Sequence, residues 1–198
     1  MLSPAYAIVV IGTSQGGLDA LREILSRLPG DYSIPVAIVQ HRHRDSDAML
    51  AQFLQTLTDL RVSEVEDKQP LEPQRVFVAP ANYHMLVDHG HFSLSTDAPV
   101  RFSRPSIDVA LSSAADAYAH RAVGVVLTGA NEDGSIGLRR LMDRGGMAVV
   151  QDPDTAESAT MPRAALKAVP TARVFPVERI GPFLGELTHV PPARRSIA

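Results

Sequence analysis

Three loops of this chain carry residue types that together could perform acyl transfer. Gly12-Thr13-Ser14-Gln15-Gly16 matches the G-x-S-x-G pattern of a nucleophile elbow, in which glycines clear room around a serine on a sharp strand-to-helix turn. At a helix N-terminus, free backbone N–H groups and the positive end of the dipole can stabilise an oxyanion. A serine hydroxyl is a poor nucleophile until a base takes its proton, and histidine suits that task near neutral pH. His41 and His43 both follow an apolar run. Two residues apart in an extended segment they point the same way, so spacing prefers His41 only weakly. The base in turn needs a carboxylate to hold its tautomer and stabilise the imidazolium. Asp133 stands in the third loop with Glu132 beside it as a competitor. Asp108, in the first turn of a helix, reads as a charge that stabilises the helix dipole.

Each feature also has a plainer account. A glycine-rich turn can bind a phosphate or simply turn, a loop histidine is usually solvated, and aspartate is a common helix N-cap. Two phosphate-binding fingerprints fail here: no Gly-Lys-Ser/Thr follows the glycines, and G-x-G-x-x-G is absent. A second chemistry starts from His41-Arg42-His43-Arg44-Asp45, whose H-x-H-x-D spacing resembles the zinc motif of β-lactamase-type metallo-hydrolases. Ser46 stands where that family has its next histidine, and the strand pattern is of the parallel type rather than a sandwich. His84, His89, His91, His120 and His189 read as structural or solvated.

The elements that must position these loops alternate. Ala7–Ile11 is a β-branched run that reads as a strand buried on both faces, and Leu18 to Leu28 has helical spacing ended by Pro29-Gly30. Ile34–Val39 is a second buried strand, and Asp47 to Leu57 a second helix with Ser46 or Asp47 as N-cap. The middle of the chain, 61–95, reads as short strands with turns at 80–82 and 88–90, an antiparallel excursion. Alternation resumes with a helix from Ser106, a strand over Ala122–Leu127, a helix from Asp133 to Arg144 and a strand over Met147–Gln151. A short helix starts at Pro162, an edge strand lies near Arg173, and a last helix covers Glu178 to Leu187. The predicted fold is therefore α/β: a doubly wound, mostly parallel sheet with helices on both faces and a small antiparallel hairpin excursion. Residues 1–190 are expected to form one domain and 191–198 a mobile tail. In such sheets sites form at the carboxyl ends of the strands, and the serine, histidine and aspartate loops all follow strands.

Composition narrows the class. With 198 residues and no cysteine, the chain can fold without staples, and disulfides, thiolate metal sites and a cysteine nucleophile are excluded. The net charge of −3, with no Lys/Arg-dense run and no Trp, gives no footprint for nucleic acid. Apolar stretches are strand-sized, and the first residues lack the basic-then-apolar pattern of a signal peptide, so a cytoplasmic location without membrane insertion is expected.

A set of stretches, in order, resembles the catalytic domain of the chemotaxis protein-glutamate methylesterases, the CheB family. These are Val10-Ile-Gly-Thr-Ser-Gln-Gly-Gly17, Gln40-His41, Val78-Ala-Pro80 with His84-Met85, Arg104-Pro-Ser-Ile-Asp108, Gly124-Val-Val-Leu-Thr-Gly129 with Asp133-Gly134, and Met161-Pro162. The resemblance runs from about Ile8 to Pro170. It implies that Ser14, His41 and Asp133 occupy the triad positions, which selects His41 over His43. It implies hydrolysis of glutamyl methyl esters on methyl-accepting chemotaxis receptors, deamidation of receptor glutamines as a secondary activity, no cofactor or metal, and a separate receiver or kinase protein as a further partner. No segment resembles the family's usual N-terminal receiver domain, so a separately encoded esterase or a fragment of a longer protein is expected. Gln15 stands where the family commonly has a small hydroxyl residue, Ala130 where it has methionine, and Arg42-His43 where Met-Pro is usual. Gln15 and Ala130 are the expected oxyanion and substrate-positioning residues. The alternatives are a non-catalytic receptor-binding module on the same fold, or a zinc hydrolase using His41, His43 and Asp45.

Overall fold

A computed structural model describes residues 5–43 and 49–189. In chain order the elements are β1 (Ile8–Thr13), α1 (Gly17–Leu25), β2 (Val36–Gln40), α2 (Met49–Gln55), β3 (Arg61–Glu64), β4 (Arg75–Val78), β5 (His84–Asp88) and β6 (His91–Ser95). They continue with α3 (Ile107–Tyr118), β7 (Ala122–Val126), α4 (Ser135–Asp143), β8 (Met147–Gln151), α5 (Thr160–Ala168), β9 (Arg173–Phe175) and α6 (Val177–Glu186).

Seven strands form one sheet in the order β3-β4-β2-β1-β7-β8-β9, with every pairing parallel. The chain starts in the middle. From β2 it crosses to the edge strand β3 and returns to fill the place between them with β4, then passes to the other side of β1 and winds outward through β7, β8 and β9, so the winding reverses around β1. Side chains of β1 divide by parity, as a strand buried on both faces requires. Val9 and Ile11 enter a core with residues of α1, α2 and α6, while Ile8 and Val10 enter one with residues of α3, α4, α5 and the β5–β6 hairpin. Both cores are closed by aliphatic side chains with no solvent exposure, among them Leu21, Ile24 and Leu25 on one side and Leu111, Leu138 and Leu141 on the other.

The antiparallel excursion is smaller than the sequence suggests. Among the named strands of the described residues, β5 and β6 alone pair antiparallel; β3 and β4 are parallel strands of the main sheet. The reason is burial: Val76, Phe77 and Val78 are fully enclosed, as a strand covered on both faces must be, whereas a hairpin strand would leave alternate residues wet. The predicted N-cap of α2 at Ser46 or Asp47, and the tail from residue 191, lie outside the described residues. Helix α4 begins at Ser135, so Asp133 stands before it with Gly134 in the left-handed region at φ 91°.

Candidate active site

The loops after β1, β2 and β7 meet because those strands are neighbours. His41 N–H bonds Thr13 O at 3.0 Å, continuing the β1–β2 ladder one residue past β2, and Ser14 N–H bonds Thr128 O at 3.0 Å on the β7 side. Gln40 braces the pair from below: its Nε2 donates to Ser14 O at 2.9 Å and to His41 O at 2.8 Å. Thr128 ties the third loop in, its Oγ1 donating to Gln15 O at 2.8 Å.

The glycines of the serine loop have distinct jobs. Gly16 takes φ 75°, which reverses the chain into α1 at a position where an L side chain is strained. Gly12 gives room to Ile107: a Cβ there would fall 2.2 Å from Ile107 Cγ2. Gly129 is pressed between Ser14 and Met161, with a Cβ falling 3.0 Å from the Ser14 Cβ. The serine loop is thus held from below by α3 and from the side by the β7 loop.

His41 and Asp133 form the polar centre. His41 Nε2 lies 2.8 Å from Asp133 Oδ2, with side chains 10% and 0% exposed. The carboxylate is held by more than the histidine. Oδ2 also accepts Ile107 N–H at 2.7 Å; Oδ1 accepts Asp108 N–H, Gly134 N–H and Ser106 Oγ, each at 3.0 Å. Asp133 therefore caps the N-terminus of α3, a helix remote in sequence, rather than the helix that follows it. Burial alone would raise its carboxyl, but the hydrogen bonds from His41 and from the Asp108 and Ile107 N–H groups outweigh burial and hold it below the ordinary carboxylate value. The group is an anion, and anions only accept, so the hydrogen of this contact sits on His41 Nε2.

Asp108 does not serve only its own helix dipole. It is buried, its Oδ1 accepts Gly137 N–H of α4 at 2.7 Å, and Arg101 Nε lies 3.5 Å from Oδ2. Burial pushes its carboxyl up, with the nearby Asp133 charge adding to that, while the Gly137 N–H and Arg101 oppose it. Glu132 points away, to Arg101 at 3.3 Å, and drops out as a partner for His41.

Sequence reasoning missed several residues here. Ser106 is the side-chain cap of α3, accepting Val109 N–H, and His84, fully buried, accepts Ser106 N–H through Nδ1 at 3.2 Å. Asn131 Nδ2 lies 3.2 Å from His41 Nδ1. Gln151 Oε1 accepts Thr128 N–H at 2.9 Å. The sequence places Ser106 at the start of this helix and reads His84 as structural or solvated, but nothing in the one-dimensional spacing pointed to their contacts here or to Asn131 and Gln151.

Neither the Gln15 N–H nor the Ala130 N–H has an acceptor among the described residues, and both residues are exposed at the mouth of the site. His41 lines two clefts. One, of about 310 Å³, has Asn82, Arg104 and Phe102 on its walls; the other, of about 360 Å³, is walled by Leu18, Leu50 and Phe53. His43 lines the first cleft, and Asp45 lies outside the described residues. Among the described residues no helix is long and apolar enough to cross a membrane.

Residues 9–184 match the family model described as CheB methylesterase. A provisionally named protein-glutamate methylesterase/protein-glutamine glutaminase of Leptospira interrogans is 44% identical over 176 residues, 88% of this chain and 91% of that protein. The protein-glutamate methylesterase FrzG of Myxococcus xanthus is 36% identical over 94% of this chain and 56% of its own length. The crystal structure of the Thermotoga maritima CheB methylesterase catalytic domain superposes with a TM-score of 0.88 at 31% identity, covering 92% of this chain and 98% of that one.

Proposed function

This chain belongs to the CheB methylesterase family, and we propose that Ser14 is its nucleophile, His41 the general base and Asp133 the carboxylate that holds the base. The chain is a carboxylic ester hydrolase of the protein-glutamate methylesterase type. The observation that carries the assignment of residues is the 2.8 Å contact between His41 Nε2 and an anionic, fully buried Asp133, at the sheet edge where Ser14 is anchored to both neighbouring loops. A histidine so engaged keeps one basic nitrogen, Nδ1, for the serine proton.

In the reaction, Ser14 Oγ attacks the ester carbonyl of a methylated glutamate as His41 Nδ1 takes its proton. The oxyanion is met by the Gln15 and Ala130 N–H groups, which have no competing acceptor among the described residues. The proton passes to the leaving methoxide, methanol departs, and water enters to hydrolyse the acyl-serine by the reverse proton transfers. A glutamine side chain forms the same acyl-enzyme with ammonia as leaving group, so deamidation needs no further residues. The proposed substrate is a chemotaxis receptor in the cytoplasm, with a separate receiver or kinase protein as a further partner. The two clefts beside His41, one polar-walled and one apolar, support a protein rather than a small-ester substrate. Residues 1–190 act as one catalytic unit.

The test is labelling with a fluorophosphonate probe, read by intact mass. One adduct on the wild type that is lost in Ser14→Ala supports the assignment; a folded wild type that takes no adduct overturns it.

A further inference from the structure

The Asn131 side chain touches His41 and Asp133 at once. Its Oδ1 accepts the Asp133 N–H at 3.0 Å, and its Nδ2 stands 3.2 Å from His41 Nδ1. A backbone N–H can only donate, so the Asp133 N–H settles which end of the amide is oxygen. The amide nitrogen is therefore the end that faces the imidazole, and His41 Nδ1 must meet it with a lone pair. The contact on the opposite side of the ring is compatible with that state, because the anionic Asp133 accepts from Nε2–H. The carboxylate fixes the hydrogen on Nε2, and the Asn131 amide is the contact that disfavours a second hydrogen on Nδ1. An imidazolium would carry a hydrogen on Nδ1 and bring it against the hydrogens of the Asn131 amide.

We propose that Asn131 is a positioning residue for the base: its amide holds His41 neutral, in the Nε2–H tautomer, and yields Nδ1 to Ser14 when an ester is bound. The proposal rests on the reading of His41 as the base. It makes the resting site one in which the lone pair that will take the serine proton is oriented and kept unprotonated, at the expense of a weak hydrogen bond that each turnover must break. Among the described residues, the other charged or titratable groups around the imidazole are Asp133, with Asp108 and Arg101 behind it, Glu132 on Arg101, Arg42 paired with Glu64, and His43 and Arg104 on the cleft wall. Of these only Asp133 touches Asn131, through its backbone N–H; Asn131→Asp keeps that acceptor, so a change in protonation that both variants share in sign reports on the donor to Nδ1.

The experiment compares the wild type with Asn131→Ala and Asn131→Asp by ¹⁵N-resolved NMR of the imidazoles across pH, and by the pH dependence of fluorophosphonate labelling of Ser14. The aspartate keeps the acceptor for Asp133 N–H but replaces the donor to Nδ1 with an acceptor. The wild type is expected to show the Nε2–H tautomer at neutral pH. In Asn131→Asp the imidazole should stay protonated to a pH about one unit higher or more, as a carboxylate in contact with a histidine requires. In Asn131→Ala the shift should have the same sign and be about half a unit, the worth of one weak hydrogen bond. The acid limb of the labelling rate should move in the same order. An Nδ1–H tautomer in the wild type overturns the proposal. So does a labelling rate that drops evenly at all pH values with the limb unmoved, since that is what a purely structural role would give. If Ser14 takes no label in any of the proteins, the esterase site is what fails, and the NMR, which needs no turnover, still decides the role of Asn131.

Discussion

Asp133 Oδ2 stands 2.8 Å from His41 Nε2 while the same oxygen accepts the Ile107 N–H at 2.7 Å, so the carboxylate that faces the imidazole also closes the first turn of α3. On the proposed assignment, orientation of the base and capping of a core helix are one interaction. Chemistry and stability should therefore fail together at this residue.

Asp133→Asn replaces one acceptor oxygen with a donor inside a ring of five donors: His41, Ile107, Asp108, Gly134 and Ser106. At least one buried donor is left facing another. Urea denaturation is expected to show a loss of about 2–4 kcal/mol, the cost of a buried charged group's broken hydrogen bonds and a lost cap. Ester hydrolysis should fall too, though less than in Ser14→Ala, which removes the nucleophile. A variant as stable and as active as the wild type would remove Asp133 from both roles.

The same carboxylate gives a pH dependence. Its folded-state value lies below the ordinary 3.8, so its contribution to stability is present above that value and is lost as pH falls through the folded value. The stability difference between the wild type and Asp133→Asn should accordingly shrink on acidification below about pH 4. Asp108 has the opposite sign: its carboxyl is raised, so relief on protonation adds stability as pH falls toward the ordinary range. Chemical denaturation of the wild type, Asp133→Asn and Asp108→Asn between pH 3 and 7 separates the two.

Gly12→Ala tests the support beneath the serine loop. The new methyl would overlap Ile107 Cγ2, and Ile107 is the residue whose N–H holds Asp133. Overpacking of a closed core costs about 1–3 kcal/mol, and the displaced N–H should lower the labelling rate of Ser14 as well. Labelling at the wild-type rate in a destabilised Gly12→Ala would show that the position of Ile107 does not reach the site.

Gln40→Met keeps the length and volume of the side chain and removes its two bonds to the carbonyls of Ser14 and His41. The expectation is a labelling rate lower by about tenfold, since small misplacements of reacting groups are costly. The measurement is the rate of fluorophosphonate labelling of Ser14 beside the melting temperature. A rate loss no larger than the fraction unfolded would refute a positioning role.

Much of this was legible in one dimension. The β-branched runs at 8–11, 36–39 and 147–150 are strands because continuous apolar sequence of that length fits only a strand covered on both faces. The sharp turn that carries Ser14 between Gly12 and Gly16 at the end of β1 was legible from its glycines, whereas the proposed role of Ser14 rests on the family resemblance. The stretch over 61–78 was misread as antiparallel because short strands separated by turn residues look alike whether they pair with a sequence neighbour or with a distant strand. Asp108 was read as a local charge because the residue it bonds, Gly137, is 29 positions away.

The sequence by itself determined the kinds of element, their order, and three loops bearing a hydroxyl, an imidazole and a carboxylate at strand ends. These follow from local periodicity and steric rules that act over a few residues. Only the tertiary structure decided that β1 lies between β2 and β7, and hence that those three loops meet. It alone decided that Asp133 caps α3 instead of α4, that Asn131 rather than Glu132 reaches His41, and which nitrogen of the imidazole faces the carboxylate. Such facts depend on hydrogen bonds between residues about 25 to 115 positions apart, as Asp108 to Asp133 and Thr13 to Thr128 show, and a partner at that distance is fixed by packing of the sheet and not by any local pattern.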